Sequence, residues 1–123
     1  MAGKPVGWRR RKIMAYAHQM DDGKYIASHL TGNKKNYLQL ELSETACIPK
    51  VIPFPEYPED EGIHNVSSQD VLRQVQEGIQ YYFEETGRLF HVAEIRFYES
   101  DDYADAVYGW LALKIFELAD QQA

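Results

Sequence analysis

Tyr37-Leu38-Gln39-Leu40-Glu41-Leu42 is the stretch that decides the fold. Its three leucines alternate with Tyr, Gln and Glu, and only an extended chain turns a period of two into one apolar and one wettable face. The alternation predicts a half-buried strand, with Leu38, Leu40 and Leu42 facing a core. Before it, Thr31-Gly32-Asn33-Lys34-Lys35-Asn36 reads as a turn with basic residues at its tip. Earlier still, Asp22-Gly23 separates two extended runs, Arg11–Met20 and Lys24–Leu30, and Asp-Gly in that setting signals a β-hairpin. A meander of three strands follows.

Downstream, Pro49, Pro53, Pro55 and Pro58 exclude a helix and a central strand, while Glu56, Glu59, Asp60 and Glu61 keep the segment wet. Residues 45–65 are therefore expected to be an extended surface loop. Ser67-Ser68-Gln69-Asp70 resembles a capping box, and Val71, Val75, Ile79 and Phe83 follow at helical spacing until Gly87, a residue suited to a left-handed cap. Leu89–Tyr98 alternates as a further strand. Ser100-Asp101-Asp102 is expected to cap a last helix over 101–119, whose buried face runs through Val107, Leu111 and Ile115. Gly78 and Gly109, inside the two helices, point to close packing. The order β-β-β-α-β-α predicts an α+β two-layer sandwich, a four-stranded sheet with both helices on one face. Residues 1–10 are expected to form a flexible basic N-terminal segment and residues 11–123 a single domain, the natural size for 123 residues.

Charge divides this domain. Residues 1–50 carry a net +5 and residues 51–123 a net −11, giving the −6 of the whole chain. That split favours a protein that works by binding. The longest apolar run, Ala106 to Leu113, is far too short to span a membrane, and the polar start does not read as a signal peptide. Cys47 is the single cysteine, which excludes an internal disulfide and points to the cytoplasm.

Chemistry-bearing motifs are scarce. A two-residue Asp22-Gly23 turn sets His18 opposite Ala27 and places His29 diagonally from His18 on one face, but no third ligand joins them, so no metal is expected. Neither a Walker loop nor a dinucleotide fingerprint is present, and no serine sits in a nucleophile elbow. The reading is of a non-enzyme with no catalytic residues and no cofactor. Trp8, Arg9, Arg10, Arg11 and Lys12, together with Lys34 and Lys35 beside Tyr37, make a basic and aromatic set suited to phosphate contact and base stacking. Glu56, Glu59, Asp60, Glu61, Asp101, Asp102 and Asp105 form the alternative, an acidic surface for a basic protein partner of an immunity or antitoxin-like module.

Over residues 11–119 the chain resembles domain IV of elongation factor G and related translational GTPases. The resemblance rests on Met14-Ala15-Tyr16-Ala17-His18 in an early strand, on Gly32 through Leu42, on Val71 through Ile79 in the first helix, and on Val92–Tyr98 followed by Ala104–Phe116. Where that family carries a histidine followed by Asp-Ser-Ser in its tip loop, this chain has the shorter, acidic Glu99-Ser100-Asp101-Asp102. The resemblance implies the same β-β-β-α-β-α order and association with the ribosome or with RNA.

Overall fold

A computed structural model describes residues 15–31, 34–102 and 105–122. Five strands, β1 (Ala15–Gln19), β2 (Tyr25–Thr31), β3 (Lys34–Ser43), β4 (Lys50–Pro53) and β5 (His91–Phe97), form one sheet in the order β1-β2-β3-β5-β4. Helices α1 (Ser68–Thr86) and α2 (Val107–Gln121) pack against each other and against the sheet. The fold is α+β, as expected, but the sheet has a fifth strand. Lys50–Pro53 pairs with β5 in parallel, through Val51 opposite Ile95 and Ile52 opposite Arg96. Prolines did not exclude it because β4 lies at the sheet's edge, where one side of the strand needs no ladder partner.

Two local details set which side chains share a face. The first hairpin turns through three residues, Asp21-Asp22-Gly23, with Gly23 at φ 90°, rather than two. His18 is thus opposite Ile26, not Ala27. A one-residue slip moves every side chain of a strand to the other face, so His18 and His29 lie on opposite faces and the pair expected from sequence does not form. The second detail is an irregularity between β3 and β5: Glu41 pairs with Glu94 but Leu42 with Val92, which passes over Ala93. That bulge brings Val92 into the core with Ile95 and Phe97 and breaks the simple alternation of the strand. The Lys34-Lys35 segment also differs from expectation. It belongs to β3, with Lys34 opposite Thr31 and Lys35 opposite Leu30.

One core lies between sheet and helices. Ala27, Leu38, Leu40, Ile95 and Phe97 from the sheet meet Val71, Val75, Leu111, Ile115 and Phe116 from the helices. Ser67 caps α1 by accepting from Asp70 N–H at 3.1 Å, and Gly87 closes it in the left-handed region at φ 78°. The buried stripe of α1 is Val71, Gln74, Val75, Gly78 and Tyr82; Phe83, expected inside, is 41% exposed. The stripe turns towards Gly78 because α2 approaches there: a Cβ on Gly78 would stand 3.1 Å from the carbonyl oxygen of Gly109. Cys47 is exposed. No helix among the described residues is long and apolar enough to cross a membrane.

Candidate nucleic-acid interface on the open face of the sheet

The leucines of β3 point at the helices, so the alternate residues point away from them. Registers align these outward positions across strands: Tyr16 of β1 pairs with Ser28 of β2, and Ser28 with Tyr37 of β3. One step beyond the Leu38–Phe97 pair, the rings of Tyr37 and Tyr98 meet edge to face at 5.6 Å. Phe54 continues the row, its N–H donating to the Phe97 carbonyl at 2.7 Å and its ring stacked on Tyr98 at 4.7 Å. Tyr57, from the loop after β4, stacks on the same Tyr98 ring at 5.6 Å and an angle of 19°. A line of aromatic side chains therefore crosses the sheet at one end. Tyr16 is 69% and Tyr57 49% exposed, so its two flanks are open to solvent.

Two hydroxyls of this row, those of Tyr37 and Tyr98, are held protonated. The Tyr57 and Tyr98 hydroxyls are 3.3 Å apart, and this contact, with burial, pushes Tyr98 up to about 12. Burial raises Tyr37 as well. Tyr37 and Tyr98 thus offer π-surfaces and hydrogen-bonding groups without phenolate charge at neutral pH. Beside the row is a groove of about 510 Å³ lined by Ser28, Leu30, Lys35, Tyr37, Tyr57 and Tyr98, among others. Further along the same face, Arg96 stands 6.0 Å from the Phe54 ring and chelates Glu94 at 3.2 Å, a contact that lowers the Glu94 pKa.

Asp101 reaches the floor of this groove from within the fold. It is buried, and one carboxylate oxygen accepts from Tyr37 N–H at 2.8 Å and from the Tyr108 hydroxyl at 2.9 Å. Burial dominates these two hydrogen bonds and pushes its pKa up to about 6. Asp102 follows suit on the surface: its carboxylate accepts from Lys35 N–H at 2.8 Å and its carbonyl from Asn36 Nδ2 at 2.7 Å. Neither aspartate caps α2, which begins only at Val107, after Ala106 in the left-handed region at φ 65°. The missing cap comes from α1, where Gln74 Oε1 accepts from Tyr108 N–H at 2.9 Å.

Of the basic residues singled out from sequence, Trp8, Arg9, Arg10, Arg11 and Lys12 lie outside the described residues, and Lys34 is placed by its backbone in β3. Lys35 is exposed and lines the groove. Of the acidic set, Glu56, Glu59 and Glu61 are exposed, and Asp60 sits 3.4 Å from Ser100 Oγ, so the loop and the turn after β5 come together. Asp105 is 4.0 Å from Arg73. Asp101 is withdrawn from that surface. The aromatic row beyond Tyr37 was not found from sequence, although its signal was there: Tyr16 occupies an outward strand position like Tyr37, and Tyr98 directly follows the end of β5.

A second cluster lies where the acidic loop meets the turn. His64 Nδ1 is 3.2 Å from Glu99 Oε2 and 3.5 Å from Glu56 Oε1. Comparison with family models, with curated proteins and with solved structures found no match for this chain.

Proposed function

We propose that this domain is a non-enzymatic binding module that takes single-stranded RNA across the aromatic row of its open sheet face. The carrying observation is the alignment of Tyr16, Tyr37, Tyr98, Phe54 and Tyr57 on the side of the sheet away from the helices, with exposed Lys35 on the adjoining groove. Bases splay onto such rings, and each stack contributes about 1–3 kcal/mol with little regard for sequence. Lys35, on the same face as Tyr37, would supply phosphate contacts beside the row, and Lys34 and the Trp8–Lys12 run add basic charge to the chain. The resemblance to domain IV of elongation factor G supports ribosomal RNA as the setting. Acidic residues elsewhere hold the net attraction down, so binding is modest and falls steeply with salt.

Fluorescence anisotropy of a labelled, unstructured RNA oligonucleotide at low ionic strength tests this. Tyr16→Ala and Tyr57→Ala should each weaken binding by roughly 5-fold or more, and Lys35→Glu should weaken it and flatten the salt dependence. No binding at low salt, or full binding by both tyrosine variants, would remove the proposal. The exposed Glu56, Glu59 and Glu61 favour a second reading, an acidic surface for a basic protein. Capture from lysate with and without nuclease separates the two: an RNA-dependent set of partners supports the first, one stoichiometric basic protein the second.

A further inference from the structure

We propose that Glu56, His64 and Glu99 form a binding site for one first-row divalent metal ion, with zinc the best match. Glu56 precedes the 3-10 turn Pro58–Asp60, His64 follows it, and Glu99 leaves the end of β5. One ligand atom from each lies within 4.8 Å of the other two. Zinc bonds carboxylate oxygen and imidazole nitrogen at about 2.0–2.2 Å, so adjacent donors of a tetrahedral ion stand about 3.3–3.5 Å apart. The 3.2 and 3.5 Å separations from His64 Nδ1 match two of those edges, and the third, between the two carboxylate oxygens, lies within 4.8 Å, so an ion would draw the two glutamates to its own spacing.

Further contacts hold the three residues in place. Gly62 N–H donates to Glu56 Oε2 at 3.2 Å, which fixes the carboxylate and leaves Oε1, the oxygen nearest His64, as the ligand. Asn65 and Val66 both donate their N–H groups to the Glu99 carbonyl, at 2.9 and 3.2 Å, and so clamp the segment after His64 to the backbone of Glu99. The Gly62 contact is of the kind that orients a ligating carboxylate, and the backbone clamp keeps His64 and Glu99 close together. Beside the cluster a hollow of about 370 Å³, lined by His64, Ser67, Asp70 and Glu99 among others, gives room for water or another ligand in a fourth position. Two carboxylates and one imidazole offer the charge and donor softness that zinc and its neighbours take in preference to magnesium or calcium. Glu56 and Glu99 are also the chain neighbours of Tyr57 and Tyr98, so the ion would brace that stacked pair from behind.

Calorimetric titration of the tag-free, chelator-treated full chain with zinc chloride tests the site. The expected result is about one equivalent bound, weakening on acidification as protons compete for the ligands. His64→Ala and Glu99→Gln should each weaken binding at least ~10-fold, and His18→Ala should leave it unchanged. Circular dichroism of the metal-free variants checks that each folds. As a second measurement on the wild type, zinc should shift backbone amide resonances around residues 56, 62–66 and 99. Absence of saturable binding, binding unaffected by His64→Ala and Glu99→Gln, or amide shifts centred elsewhere would overturn the proposal.

Discussion

Asp101 shows how a residue's neighbours change its meaning. In sequence it stands in Ser100-Asp101-Asp102, ahead of an apolar helix, and reads as a cap; in the fold it is an interior acceptor for Tyr37 N–H and the Tyr108 hydroxyl. Burial lifts its pKa from an ordinary 3.8 to about 6, so the folded chain holds this proton more tightly than the unfolded chain. The sign follows. The associated stability is fully present below about pH 4 and is lost as pH rises through about 6, a change on the order of 3 kcal/mol. Glu94, whose pKa is lowered by its hydrogen bond to Arg96, contributes with the opposite sign, so the difference between variants is the clean measure. Asp101→Asn keeps an oxygen for both donors and removes the charge. Urea unfolding of wild type and Asp101→Asn at pH 4 and pH 7 should show the variant gaining relative stability at pH 7; equal pH dependence in the two would refute the assignment. The placement was illegible in sequence because one donor, Tyr37, is 64 residues away and the other, Tyr108, comes within reach only because α2 starts later than expected.

Elements were more legible than residues, and where they were not the reason is local. The Tyr37–Leu42 alternation, the Ser67 cap and the Gly87 stop each rest on one short-range rule, and each is present in the fold. Strand β4 hid among prolines because an edge strand of four residues needs partners on one side only. The first hairpin's register depended on whether Asp21 belongs to the turn, a choice that Asp-Gly alone leaves open. The zinc ligands proposed above come from three segments at irregular spacing, and the aromatic row depends on strand order, so neither set is contiguous in sequence. Between the helices, Gly78 carries a testable consequence. Alanine is the better helix former by about 1 kcal/mol, but here its Cβ would meet the Gly109 carbonyl at 3.1 Å. Overpacking of this kind costs about 1–3 kcal/mol, so Gly78→Ala should lower stability by roughly 1 kcal/mol in chemical denaturation. A gain in stability would mean that the helices can separate at little cost.

For the molecule as a whole, strand order carries a consequence for how the chain comes to be folded. β3 and β4 are close in sequence, yet β5 is inserted between them, antiparallel to one and parallel to the other. Until residues 91–97 arrive, β3 keeps one unpaired edge and β4, whose sheet partner is β5, has nothing to pair with. The β1–β2 hairpin, by contrast, closes over three residues and depends on nothing downstream. Closing distant segments is slow relative to local turns, so assembly should proceed in two stages. Pulsed hydrogen exchange during refolding should find the amides of β4 and β5 becoming protected together, after those of the β1–β2 hairpin; protection of β4 ahead of β5 would refute this order. A nascent chain that has not yet released β5 therefore exposes a template for another strand, and the vulnerable period for mispairing during synthesis ends only when Phe97 has docked.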